Sequence, residues 1–353
     1  MRVVFCGLSI TSSWGNGHAT NYRALVRELT ARGHEVLFLE RDVPWYASQR
    51  DLPEPPWGRT ELYGSVAELE RHRDDVAAAD LVVVGSYVPE GVAVAERVLG
   101  WSEGVVAFYD IDTPVTLDKL RRGDTEYLSP ELVGRFDLYL SFTGGPTPAA
   151  LEEEFGARRA LAFHCLVDPE AYRPREAPLR WDLGYLGTYS DDRQPVLERL
   201  LVEPARRAPQ RRFAVAGPQY PEEIGWPGNV ERIEHVAPGD HPGFYASQRF
   251  TLNVTRTAMR AAGWSPSVRL FEAAACGVPV ISDRWEGLDQ LFVPGEEILI
   301  ADEAEDVVRY LAEVSEDERR AIGARAWARV LAEHTAERRC EQLEEEVAGV
   351  AVR

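Results

Sequence analysis

Short apolar runs rich in β-branched residues alternate with helical stretches from the N-terminus onward, and midway along the chain the same rhythm begins again. A strand followed by a helix and then another strand makes a parallel pair, so this order predicts an α/β protein built from two doubly wound sheets. In the first half the runs are Val3 to Cys6, Glu35 to Leu39, Leu81 to Val84, Val105 to Tyr109, Leu138 to Phe142 and Ala160 to Phe163. The second set is Asp182 to Leu186, Arg212 to Ala216, Glu231 to Val236, Phe250 to Val254, Pro279 to Ser282 and Ile298 to Ala301. Tyr22, Leu25, Val26 and Leu29 recur at helical spacing before Gly33, which marks the first crossover helix.

Asp168 to Pro178 is rich in proline and charge and lacks an apolar period, so it reads as the linker. The expected domains are residues 1–170 and 171–335, followed by a terminal helix, 336–353, that crosses back to the first domain. A length of 353 residues is ample for two cores.

A formal net charge of −19 without a local basic patch argues against nucleic acid or an anionic membrane surface as a partner. Cys6, Cys165, Cys276 and Cys340 lie far apart in apolar contexts and show no metal-ligand spacing. They read as reduced core thiols of a cytoplasmic protein, and no metal site is expected. The chain enters a strand at Arg2 and has no long apolar run, so no signal peptide or membrane span is expected.

Ligands of open parallel sheets sit at the carboxyl ends of the strands, which directs attention to the loops there. The first carries Gly15-Asn16-Gly17-His18 at the mouth of a helix, where glycines free backbone amides for an anion and His18 is placed to take a proton. A polar loop histidine bonded to its own backbone is the competing reading. Asp110 and Asp112 follow another strand and suit orientation of that histidine. In the second half, Gly187-Thr188-Tyr189 and Arg193 offer amides and a guanidinium to a diphosphate, and backbone around Gly217, His235 and Val236 suits a nucleobase edge. Ser267, Arg269 and Glu272 lie on a helix ended by Gly277, with Glu272 among small residues where its carboxylate can accept vicinal ribose hydroxyls. Trp14, Trp45 and Tyr46 are candidates to stack on an acceptor, although core packing explains aromatic residues as well.

These blocks carry a family likeness. Ser13 to Thr20, Asp110 to Pro114, Phe142 to Pro146, Leu186 to Arg193 and Ser267 to Ala273, with the segment Val167 to Pro174, resemble nucleotide-sugar glycosyltransferases of the GT-B fold, most closely the bacterial spore-maturation type. The resemblance implies two Rossmann-like doubly wound domains facing a cleft, an N-terminal acceptor domain and a C-terminal donor domain. It implies transfer from a nucleoside-diphosphate sugar to a small-molecule, glycan or lipid-linked acceptor, with neither metal nor cofactor. In the retaining branch two glutamates eight positions apart serve the donor. Glu272 matches the later one, whereas Trp264 occupies the earlier position. Gly17-His18 resembles the opening of inverting members, in which such a histidine deprotonates the acceptor, so both stereochemical outcomes stay open. A nucleotide-sugar epimerase or hydrolase, or a binding protein without catalysis, would share the same architecture.

Overall fold

The computed structural model describes residues 1–351 and divides into two compact units. The first comprises residues 1–166 with the helix that starts at Ala336, and the second runs from Val167 to Thr335. The Pro-rich stretch read as a linker therefore belongs to the second unit, ahead of its first strand.

In the first unit seven parallel strands, β1 (Arg2–Gly7), β2 (Glu35–Arg41), β3 (Arg59–Tyr63), β4 (Leu81–Gly85), β5 (Val105–Asp110), β6 (Leu138–Ser141) and β7 (Ala160–Ala162), stand in the order β3-β2-β1-β4-β5-β6-β7. β1 pairs with both β2 and β4. The chain winds outward from β1 in one direction and then the other, so the gap between the ends of β1 and β4 is the place where loops diverge and a ligand fits. β3 escapes sequence reading because Arg-Thr-Glu-Leu-Tyr is polar and half exposed, as an edge strand can be.

Burial explains the other strands. Val3, Phe5, Val36 and Phe38 join Tyr22, Leu25, Val26 and Leu29 of the helix His18–Ala31 in one core cluster. Each such side chain contributes about 1.5–3 kcal/mol when taken from water. Ala336, Cys340, Leu343 and Val347 of the helix Ala336–Ala351 complete that cluster. Arg32 grips Glu344 in bidentate fashion at 2.9 and 2.7 Å and His34 lies 2.6 Å from the same carboxylate, so charge pairing fixes the helix its apolar face has docked.

The second unit holds six parallel strands: β8 (Trp181–Leu186), β9 (Phe213–Ala216), β10 (Val230–Ile233), β11 (Gln248–Asn253), β12 (Val280–Ser282) and β13 (Leu299–Ile300). Their order is β10-β9-β8-β11-β12-β13, with the winding reversing between β8 and β11. β10 stops at Ile233, short of the expected Val236. The helix Val268–Ala275 is almost wholly buried and ends at Gly277, whose φ of +71° reverses the chain into β12.

Candidate functional site

At the β1 end of the first unit, the loop to the helix is held by a carboxylate that sequence reading missed. Glu40, at the end of β2 and fully buried, accepts from the amides of Ile10 and Thr11 at 2.7 and 3.0 Å and from the hydroxyls of Ser9 and Thr11 at 3.1 and 2.6 Å. Its signal was faint: one acidic residue closing an apolar run. Arg23 secures the same loop, donating to the Ile10 carbonyl and pairing with Asp51 through both terminal nitrogens. Burial alone would raise the Asp51 carboxyl, but the Arg23 and Ser13 bonds bring it down to about 2.

Asn16 then closes the turn. Its amide donates to Ser12 O and its Oδ1 accepts from the His18 amide at 2.9 Å, so one of the open N–H groups at the helix start is satisfied from outside the helix. Gly15 takes φ +62°, and Gly17 has open space around its missing Cβ. The turn delivers His18, 8% exposed, with Nε2 at 3.7 Å from Asp112 Oδ2 and its ring edge-on to Tyr87. That separation is ion-pair reach and longer than a hydrogen bond. Nδ1 is buried and has no partner. Tyr87, on the loop after β4, has a left-handed backbone (φ +62°) and braces the imidazole from the far side of the switch point. Nothing in the sequence around it marks that role.

Asp110 plays a different part from Asp112. Fully buried, it accepts from Tyr139 Oη at 2.6 Å, Thr116 Oγ1 at 2.7 Å and the Asp112 amide at 3.3 Å. Burial raises its carboxyl to about 6 while the Tyr139 and Thr116 bonds work against the rise. Asp110 therefore fixes the turn that presents Asp112, and Asp112 is the carboxylate that faces His18. Of the candidate acceptor aromatics, Trp14 and Trp45 are exposed (44% and 54%), whereas Tyr46 is buried at 8% and offers no stacking face.

In the second unit the site is organised by Arg269. Its Nε donates to Leu186 O at 2.6 Å and its Nη1 to Asn253 Oδ1 at 3.0 Å, so one guanidinium straps the carboxyl ends of β8 and β11 where the winding reverses. The group lies over the Tyr185 ring at 4.7 Å. Asn253 Oδ1 also accepts from Ser267 Oγ at 2.7 Å. Gly187 completes the arrangement: a Cβ there would fall 2.6 Å from Tyr185 Oη and 2.8 Å from Arg269 Nη2. Tyr185 Oη is buried without a partner. No side chain fits there, so the Gly187 backbone lies directly against a hydroxyl and a guanidinium nitrogen.

Neighbouring loop backbones press close to it. Gly217, at φ +139°, would place a Cβ 2.1 Å from Gly187 O, which only glycine permits. Arg193 donates to Thr188 O at 2.7 Å, and its Nε is buried and unpaired. Asp191 and Asp192 take other partners, the Tyr189 hydroxyl and the Thr257 amide. Tyr189 stands edge-on to Tyr220.

Glu272 is only 4% exposed and lies deeper than a helix-surface carboxylate would. Tyr245 Oη donates to its Oε2 at 3.0 Å, and His241 Nδ1 stands 3.7 Å from the same oxygen. Burial pushes this carboxyl up, but His241, Tyr172 and Tyr245 more than offset that and hold it below the usual carboxylate range. His241 also reaches the Val236 carbonyl through Nε2 at 3.2 Å, which joins the loop after β10 to Glu272. His235 points to solvent. Among the described residues, no group of three or more His, Cys, Asp or Glu side chains could hold a metal ion.

Comparison with known proteins shows what this arrangement resembles. Residues 193–345 match the family model described as glycosyl transferase-like. The Anabaena protein HepE, solved with UDP and glucose, superposes with a TM-score of 0.72 at 14% identity, covering 99% of this chain and 100% of that one. The fold is GT-B. Other GT-B structures agree: sucrose-phosphate synthase from Thermosynechococcus elongatus has a TM-score of 0.69 at 14% identity, with full coverage of both chains. An α-glucosyltransferase solved with UDP-glucose and DNA containing an abasic site gives 0.72 at 13% identity over 99% of each chain. A search of curated protein sequences returned no match. No helix among the described residues is long and apolar enough to cross a membrane.

Proposed function

We propose that this GT-B protein transfers a sugar from a nucleoside-diphosphate sugar to a hydroxyl-bearing acceptor, the donor being held by the second unit. The observation that carries the reading is the Arg269 guanidinium fixed at the carboxyl ends of β8 and β11, with the unpaired Tyr185 hydroxyl close beside the Gly187 backbone, two donors for a phosphate where the winding reverses. Arg269 and Arg193 supply the positive charge that a departing diphosphate needs, the task a divalent cation performs in other sites, so the reaction is read as metal-independent and free of a cofactor. Glu272 and the Val236 backbone, joined through His241, are assigned to the ribose and base. The motifs favour the spore-maturation type within the fold. HepE and the α-glucosyltransferase were solved with UDP or UDP-glucose, which makes UDP-sugars the first donors to try.

Activation of the acceptor falls to His18. Asp112 stands within ion-pair reach of Nε2, and His18 is assigned as the base that takes the acceptor proton. The acceptor oxygen then bonds to the anomeric carbon while the bond from that carbon to the diphosphate oxygen breaks, and the nucleoside diphosphate leaves with the electron pair. The exposed Trp14 and Trp45 favour an acceptor with a sugar or planar face. A chain of charge −19 suits a small-molecule, glycan or lipid-linked acceptor better than nucleic acid. Four buried cysteines, none in a disulfide, suit the reducing cytoplasm.

Mass spectrometry after incubation with UDP-, GDP- and dTDP-sugars, each with and without an acceptor panel, tests the reading. A glycosylated acceptor is expected. Release of free sugar at an equal rate with or without acceptor would identify a hydrolase, and a changed sugar still on its nucleotide an epimerase.

A further inference from the structure

His18 has the Asp112 carboxylate on one side and the Tyr87 ring on the other, and both lead back to one buried side chain that stands apart from the imidazole. That side chain is Tyr127. The helix Thr113–Arg122 ends at Gly123, whose φ of +73° turns the chain back along it, and Lys119 fastens the return by bonding Asp124 and Glu126 at 2.7 Å each. Thr116 and Lys119 share a face of that helix, three residues apart, and the returning segment lays Tyr127 against both. There is no spare room. Tyr127 is 1% exposed, and a Cβ on Gly91, at the start of the helix after β4, would fall 2.6 Å from its carbonyl oxygen.

One arm from Tyr127 runs through hydrogen bonds. Thr116 has a single hydroxyl proton and gives it to Asp110 Oδ1 at 2.7 Å, so Tyr127 Oη is the donor in its 2.8 Å bond to Thr116. Asp110 Oδ1 also accepts from the Asp112 amide at 3.3 Å, and Asp112 Oδ2 stands 3.7 Å from His18 Nε2. The other arm is aromatic. The Tyr127 ring packs on that of Tyr87 with centroids 4.7 Å apart, and Tyr87 meets the imidazole edge-on at 5.5 Å. Ser86 ties the two arms together, since its amide donates to Tyr109 O and its hydroxyl accepts from the Ile111 amide at 3.1 Å. The contacts thus form a closed ring with His18 and Tyr127 at opposite points. Core packing alone gives Tyr87 no reason for φ +62°, a costly backbone for a bulky residue that persists only where its surroundings impose it.

We propose that Tyr127 is a positioning residue for His18, fixing the imidazole through Tyr87 on one side and through Thr116, Asp110 and Asp112 on the other. Its effect on turnover rests on the base reading above, whereas its effect on the imidazole does not.

Two measurements separate those levels. In protein labelled with carbon-13 at histidine Cε1, the His18 signal is the one that His18→Ala removes from the set of seven. Tyr127→Phe cuts the hydrogen-bonded arm and keeps the ring, and Tyr87→Leu cuts the aromatic arm. Each is expected to move the His18 signal and leave the remaining histidine signals in place. With the nucleotide sugar and acceptor of the panel that react fastest, each is also expected to lower kcat about tenfold at unchanged affinity for the nucleoside diphosphate, since misplacing a reacting group by about 1 Å can cost about 100-fold. Tyr87→Phe, which keeps the ring, should recover most of what Tyr87→Leu loses. In a His18→Ala background neither Tyr127→Phe nor Tyr87→Leu should cost anything more, whereas damage to the fold would lower turnover in both backgrounds alike. A His18 signal unmoved by both variants, or equal losses with and without His18, would overturn the positioning role and leave the base reading standing. His18→Ala with wild-type turnover, or wild-type protein that glycosylates nothing in the panel, would remove the base reading and the catalytic use of Tyr127 together.

Discussion

Gly187→Ala is the sharpest perturbation of the donor site, because it drives one methyl group against the two donors assigned to the phosphate. The new Cβ would stand 2.6 Å from Tyr185 Oη and 2.8 Å from Arg269 Nη2, closer than side-chain contacts allow. Arg269 has little freedom to retreat, since Leu186 O and Asn253 Oδ1 hold its other nitrogens. Overpacking of this kind costs about 1–3 kcal/mol of stability, visible as a lowered melting temperature. The ligand loses more specifically. Excluding a phosphate oxygen from a charge-assisted bond worth about 1.5–3 kcal/mol weakens a nucleoside diphosphate roughly 10- to 150-fold. Titration of the folded variant with the diphosphate and with the bare nucleoside is the assay, since the nucleoside lacks the phosphates assigned to those donors. A folded variant that binds the diphosphate as tightly as wild type would refute the phosphate assignment, and so would equal loss for both ligands.

Three further outcomes are expected. His18→Ala should lower turnover by about 10²–10⁴-fold with donor affinity intact, and Asp112→Asn should lower it less, while unchanged turnover in steady-state kinetics would remove the base assignment. Glu272→Gln should weaken the nucleoside diphosphate about tenfold by removing a charged acceptor, and equal affinities in calorimetry would detach Glu272 from the ribose. The Arg32 hydrogen bonds depress the Glu344 carboxyl to about 2, against an ordinary value of 4.5, so its stabilising effect is complete above pH 4.5 and fades as pH falls toward 2. Allowing for its partial exposure, Glu344→Gln should cost about 1 kcal/mol near neutrality and nothing near pH 2, so melting temperatures of the two proteins that run parallel across that range would contradict the pairing.

Apolar runs alternating with helical stretches were sufficient to declare two parallel sheets, because strands buried on both faces and the crossovers between them mark the sequence locally, except at the polar edge strand β3. The same local logic placed His18 at a helix mouth and put Arg269 and Glu272 on one helix. Only tertiary structure could part Asp110 from Asp112, two residues alike in sequence, since the difference lies in Tyr139 and Thr116, which claim the first and leave the second facing His18. Glu40 and Tyr87 likewise gain meaning from atoms far along the chain, and Tyr46 is buried where stacking on an acceptor would need it exposed. A pattern along the backbone reports which face of an element is dry. Which polar atoms end up paired is decided by elements that meet only after folding.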